Sequence, residues 1–265
     1  MRLQKEKMIC AITSYYNPLG WKSRLRNYQQ FRAKLHCPLI TVELNSNEID
    51  DAIHLQSPDL LWQKERLLNV ALDHLPPNCE IVCWIDADIV WENDFCKQVE
   101  TALTKYDLVQ MFSVCKREKQ NQVRSITLGG NGGNGLAWCA KREDIEATRF
   151  FDYCIVGSGD SAFYCGASGN AWRHNVPREL KKEWEQWGVK ASEVFKRISC
   201  LPTTCKHFYH GRAVDRRYRS RWRLLNGFAP SDLLLVDQAY QWTTEARPRF
   251  AHKLEDYFRG RREDS

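Results

Sequence analysis

The sequence predicts an α/β fold with a mostly parallel central sheet flanked by helices, and three observations carry that prediction. Short apolar, strand-like runs alternate with apolar stripes at helical spacing through the first hundred residues. Asn, Pro and Gly punctuate the connections. The 265 residues, 43% of them apolar, suffice for one substantial core. In such folds ligands bind beyond the carboxyl ends of the strands, so chemistry is expected in the loops after Thr13, Leu44 and Ile85.

Met8 to Thr13 is short and apolar and reads as the first strand. The turn-like Asn17-Pro18-Leu19-Gly20 follows, and Trp21, Leu25, Tyr28, Phe31 and Leu35 then form a helical stripe. Pro38 to Leu44 gives a second strand, while Leu60, Leu61, Leu67, Leu68, Ala71 and Leu75 mark a second helix ending before Pro76-Pro77. Glu80 to Ile85 is the third strand, followed by a helix from Phe95 to Thr104 and a strand from Asp107 to Phe112. The polar stretch Cys115 to Arg124 and the run Gly129-Gly130-Asn131-Gly132-Gly133-Asn134-Gly135 are expected to hold no regular structure. Glycine lets a backbone approach a ligand closely, so this run reads either as a loop lining a site or as a plain surface loop. From Pro230 apolar groups alternate with charge up to Arg259-Gly260-Arg261-Arg262-Glu263-Asp264-Ser265, which reads as a helix fraying into a solvated tail. The expected organisation is a single domain over 1–230 and a C-terminal helical extension with a charged tail over 231–265.

Composition narrows the class. Ten Trp and ten Tyr beside 27% charged residues describe a folded globule with aromatic-rich surfaces or clefts. No run of about 18 apolar residues exists and the start shows no small-residue cleavage site, so nothing is expected to anchor or export the chain. Eleven Cys, an odd number with no CxxC pair, fit reduced thiols in the cytoplasm better than a disulfide framework or a structural zinc site. The net charge of +6 is concentrated in Arg212, Arg216, Arg217, Arg219, Arg221 and Arg223. That cluster suits an anionic ligand, a diphosphate or a nucleic-acid backbone, or else forms a solvated helix face.

The most informative segment is Trp84-Ile85-Asp86-Ala87-Asp88-Ile89-Val90-Trp91, where two acids interrupt an apolar run. Two unpaired carboxylates inside a sheet would be very costly, so they belong where the strand ends. Acids one residue apart at such an end can share Mg²⁺ or Mn²⁺ with substrate phosphates. A second candidate ligand group is His207-Phe208-Tyr209-His210-Gly211, which reads as two metal-binding imidazoles or as two ordinary polar His at a strand end. With Asp86 and Asp88 available, a mixed carboxylate and imidazole site suits Mn²⁺ better than Ca²⁺.

With these segments in hand, the chain resembles the GT-A glycosyltransferases, and within them the β-1,4-galactosyltransferase-like group. The resemblance rests on Leu61 to Val70, on the DxD strand Trp84 to Asp94, on Gly133 to Lys141, on Gly157-Ser158-Gly159-Asp160 and on His207 to His210, in that order. It spans Leu61 to His210; the first 60 residues agree only in the order strand, loop, helix. It implies a Rossmann-like nucleotide-sugar-binding fold and an inverting, metal-dependent transfer from a nucleotide diphosphate sugar, UDP by analogy. In that scheme Asp88 binds Mn²⁺ or Mg²⁺ with His210 and His207, and Asp86 orients the ribose or sugar. The group's acidic doublet before the base is reduced here to Gly159-Asp160, and its tryptophan-rich loop is missing.

Asp160 is the candidate general base, since Gly-Ser-Gly can turn it into a cleft; the competing reading is an N-cap of the next helix. Lys64 lies within the apolar stripe of its helix, where it reaches a phosphate, pairs with an acid of the site or snorkels to the surface. Asn17, Arg24 and Glu43 are placed by position where such a fold receives the base, ribose and phosphates. The acceptor is expected to be a glycan or lipid-linked saccharide. Two alternatives stand beside it, transfer to a modified DNA or RNA base and a two-metal nuclease or phosphatase using Asp86 and Asp88.

Overall fold

The computed structural model describes residues 7–119, 122–129 and 133–264. Gly130, Asn131 and Gly132 of the expected glycine-rich loop and Ser265 of the tail lie outside the described residues. The first strand, β1 (Met8–Tyr16), leads through the Asn17 turn into helix α1 (Lys22–Ala33), and β2 (Leu39–Leu44) follows. A short β3 (Ile53–Leu55), absent from the sequence reading, precedes α2 (Lys64–Asp73) and β4 (Cys79–Ile85). Next come β5 (Ile89–Trp91), α3 (Cys96–Ala102), β6 (Leu108–Gln110), β7 (Val114–Arg117), β8 (Val123–Arg124) and β9 (Ala137–Lys141). Three helices follow, α4 (Arg142–Thr148), α5 (Gly159–Ala167) and α6 (Arg178–Val194), then β10 (Ile198–Cys200), β11 (Thr204–His207), β12 (Leu233–Val236), β13 (Ala239–Trp242) and α7 (Arg247–Arg259).

The main sheet has seven strands in the order β10-β6-β9-β4-β1-β2-β3. All its pairings are parallel except those of β9, which runs antiparallel between β4 and β6. This is the mostly parallel α/β architecture that the alternation predicts. Its strands are nearly continuous apolar runs because both faces are covered. Along β4, Val82 and Trp84 face a core with α2, α5, α6 and α7, whereas Ile81, Cys83 and Ile85 face one with α1 and α3.

A second sheet, β5-β11-β7-β8, stands beyond the end of β4. Here the expectation that Cys115 to Arg124 holds no regular structure fails at both ends of the stretch, where β7 and β8 pair antiparallel through Val114↔Arg124 and Cys115↔Val123; Gln120 and Asn121 lie outside the described residues. The hairpin buries Cys115 and leaves Lys116 exposed, an alternation with too few apolar residues to read as a strand.

The tail is also corrected. Arg261 and Glu263 are 6% and 2% exposed, so these two charges of the expected solvated end are buried, while Arg259, Arg262 and Asp264 stay exposed. Upstream, β12 and β13 form a hairpin tied to Gln63 through the backbone of Tyr240, and Phe250, Leu254 and Phe258 of α7 join the same core as α2. No described helix is long and apolar enough to cross a membrane. All eleven Cys are free thiols.

Candidate active site

The turn between β4 and β5 carries both acids from the main sheet to the second one. β5 pairs with β11 in a register that sets His207 opposite Ile89, and Phe208 N donates to the Asp88 carbonyl at 3.0 Å. His207 Nε2 therefore stands 3.4 Å and His210 Nε2 3.1 Å from the Asp88 carboxylate, with the two ring nitrogens 3.0 Å apart. Among the described residues this is the one group of three side chains arranged to hold a metal, its ligand atoms lying within 4.8 Å of one another. Asp88 Oδ1 is buried without a hydrogen-bond partner. A buried carboxylate oxygen left unpaired beside two imidazole nitrogens is the donor set a divalent cation satisfies, so the residues fit the ion. Burial, with the Arg216 guanidinium beside it, pushes His210 down to about 3, which keeps its ring neutral and able to ligate.

Lys64, the first residue of α2, organises the other carboxylates. Its Nζ lies 2.5 Å from Asp86 and 2.7 Å from Asp160, and its side chain is only 9% exposed. Burial alone would lower this ammonium, but Asp160 and Asp86 hold it well above its ordinary value. Asp86 is pushed up to about 6 by burial, against the pull of Lys64. The pairing of Lys64 with Asp86 and Asp160 matches one of its three readings, and its burial excludes the snorkelling one. Asp160 sits in the first turn of α5, whose N-cap is Ser158 and carries no side-chain cap bond. The N-capping reading of Asp160 is thus not what the structure adopts, although a carboxylate in the first turn still favours the helix dipole.

Asp86, Asp88, Asp160, Lys64, His207 and His210 line one cleft of about 490 Å³. Arg24 lines it too, its guanidinium 5.3 Å from the Trp62 ring centre. Asn17 and Glu43 are not among the lining residues, contrary to the positional expectation. Their polar groups are taken up in local turns. Asn17 accepts from Trp21 N and donates to Glu48, while Glu43, fully buried, accepts from Ser46 Oγ and from the Glu48 and Ile49 backbone.

The cationic segment resolves into turns and a short 3-10 helix, Arg221–Leu225, rather than a helix face. Arg216 and Arg221 point into the cleft, whereas Arg212, Arg217, Arg219 and Arg223 are exposed. Arg221 donates to Ser158 Oγ at 2.7 Å. Residues the sequence reading missed are Glu65, Arg261 and Glu263. Glu65 is buried under Gly159, where a Cβ would overlap its carboxylate, and burial raises it to about 8. A signal for it existed in Gln63-Lys64-Glu65-Arg66, four polar residues inside an apolar stripe. Nothing local marks Glu263 as buried.

No family model matches the chain, and no curated protein matches it. Among solved structures it is similar to Staphylococcus aureus TarS 1-349 in complex with UDP-GlcNAc, with 13% identity, a TM-score of 0.49, and coverage of 77% of this chain and 59% of that one. It is also similar to the mannosyltransferase PcManGT from Pyrobaculum calidifontis in complex with GDP-Man and Mn²⁺, with 16% identity, a TM-score of 0.45, and coverage of 95% and 69%. The catalytic domain of Drosophila β1,4-galactosyltransferase 7 is a third, with 12% identity, a TM-score of 0.34, and coverage of 62% and 63%. The chain thus spans about three fifths of the TarS structure it matches.

Proposed function

We propose that the protein is a metal-dependent GT-A glycosyltransferase moving a hexosyl or pentosyl group from a nucleotide diphosphate sugar, a UDP-sugar by resemblance, to an acceptor hydroxyl with inversion. The observation that carries this reading is the meeting in one cleft of a cation-ligand triad, Asp88, His207 and His210, with the lysine-held carboxylates Asp86 and Asp160. Displacing a nucleoside diphosphate from sugar C1 needs charge stabilisation on the leaving group and activation of a weak nucleophile. Mn²⁺, favoured over Mg²⁺ by the two imidazoles, supplies the first when bound. Arg24, Arg216 and Arg221 add fixed positive charge to the same cleft.

Asp160 supplies the second requirement. As the acceptor oxygen bonds to C1 and the bond from C1 to the diphosphate oxygen breaks, the hydroxyl proton passes to the Asp160 carboxylate. Lys64 holds that carboxylate and Asp86 in fixed register, so Asp86 is left to orient the ribose or sugar hydroxyls. A two-metal nuclease is less well supported, because Asp86 is engaged by Lys64 and the described residues contain one three-ligand group.

A glycan or lipid-linked saccharide is the acceptor we favour. The exposed Arg212, Arg217 and Arg219 alternate along the chain with cleft-lining residues, and they favour a nucleic-acid acceptor as the second reading. Strong salt dependence of acceptor binding separates the two. The free thiols support a cytoplasmic setting. The test is to incubate the purified protein with Mn²⁺ and a panel of nucleotide sugars and to measure nucleoside diphosphate release. Wild type should hydrolyse or transfer from one donor, and Asp88→Ala should lose Mn²⁺-dependent donor binding; no binding or turnover of any donor would sink the reading.

A further inference from the structure

Behind the cleft lies a buried carboxylate that the reaction above does not use. Glu263 ion-pairs with Arg24 at 2.7 Å, Arg261 at 2.5 Å and Arg216 at 3.3 Å, and stands 3.5 Å from His210 Nδ1. All four partners line the cleft, while Glu263 does not. The burial order agrees: the side chains of Arg24, Arg216 and Arg261 are 13%, 15% and 7% exposed, and that of Glu263 is 2% exposed. The carboxylate therefore holds the guanidiniums from the rear and leaves their other faces toward the cleft.

The chain is built to deliver it. Asp264 accepts from the Lys22 and Ser23 backbone N–H groups at 3.0 and 2.8 Å, capping the N-terminus of α1, whose own N-cap Trp21 makes no side-chain cap bond. Ser23 Oγ donates to the Glu263 carbonyl at 2.9 Å. Gly211, at φ +90°, lets the tail pass so closely that a Cβ there would lie 2.8 Å from Glu263 Cα. Three guanidiniums crowded together repel one another, and a fixed anion among them offsets that repulsion.

We propose that Glu263 is a positioning residue that assembles Arg24, Arg216 and Arg261 into a wall for the diphosphate group of the ligand. This rests on the reading of the cleft as a diphosphate site, and it extends that site to a tail residue that never touches the ligand. The probe is inorganic pyrophosphate without metal, titrated calorimetrically into the full chain. Electrostatics alone and positioning predict opposite signs. Removing a negative charge behind an anion site should tighten binding, whereas losing the residue that orders the arginines should weaken it.

Glu263→Gln is expected to bind pyrophosphate about tenfold more weakly than wild type, and Glu263→Asp to recover part of the loss. Equal or tighter binding by Glu263→Gln overturns the inference, as does a wild-type protein that binds no pyrophosphate. Should Glu263→Gln fail to fold, Asp264→Ala releases the tail from α1 with the Glu263 charge retained. Several-fold weaker pyrophosphate binding is then expected, and unchanged binding overturns the proposal. Pyrophosphate binding by wild type without binding of any nucleotide sugar defeats the glycosyltransferase reading and leaves the role of Glu263 standing.

Discussion

Asp160 shows how one residue separates chemistry from scaffold. Its side chain is engaged by Lys64 and the N-cap position of its helix is Ser158, so Asp160→Asn keeps size and a hydrogen-bonding oxygen while removing the proton acceptor. The turnover rate should fall by roughly 10²- to 10⁴-fold with donor affinity near wild type. Normal turnover with unchanged donor binding would refute the base assignment. Glu65 makes a different kind of prediction. Burial raises it from 4.5 to about 8, so the folded chain takes up a proton there that the unfolded chain releases above pH 4.5. A raised folded-state value gives stability that is complete below about pH 4.5 and is lost as pH rises through 8, by an amount on the order of a few kcal/mol. Glu65→Gln removes that loss. Urea denaturation at pH 5, 7 and 9 checks it, and a difference between wild type and variant that is flat with pH would show that Glu65 does not titrate this way.

Elements were legible in the sequence where periodicity was strong and illegible where a partner, rather than the local pattern, stabilises them. The strands at Met8, Leu39 and Cys79 and helices α1 and α2 lie where their apolar spacing puts them. In contrast, β9 is buried on both faces and runs against its neighbours, which nothing in Ala137-Trp138-Cys139-Ala140-Lys141 announces. The tail failed for the same reason: Arg261 and Glu263 look solvated until Arg24 and Arg216 are brought beside them. Helix approach has a testable counterpart. The N-termini of α2 and α5 come so close that the Glu65 carboxylate occupies the place of a Cβ on Gly159. Gly159→Ala should therefore destabilise the protein by about 1–3 kcal/mol through overpacking. In the double variant with Glu65→Ala most of that cost should vanish, a coupling measurable by a thermal or urea double-mutant cycle. Additive effects would mean that the two helix ends do not share this space.

At the scale of the whole molecule, the proposed cation site is a junction between the two sheets. Asp88 leaves the main sheet at the end of β4, and His207 closes β11 in the second sheet, with His210 following it. The two acids and the two imidazoles were visible in the sequence, but their convergence depends on β5 pairing with β11, more than a hundred positions later, and that register has no local signature. An ion held by all three side chains would tie the sheets together only in the folded state, so it should stabilise the fold by mass action. At Mn²⁺ 100 times its Kd the gain is about 2.7 kcal/mol, which for a chain of this size corresponds to a rise in Tm of roughly 5–10 °C. His210 is the more buried imidazole, so His210→Ala should shift the Mn²⁺ dependence of Tm more than His207→Ala, and Asp88→Ala should abolish it. A protein whose Tm ignores Mn²⁺ in wild type and all three variants alike would show that the triad is an ordinary hydrogen-bonded cluster, with Asp88 and the two His joined for packing alone.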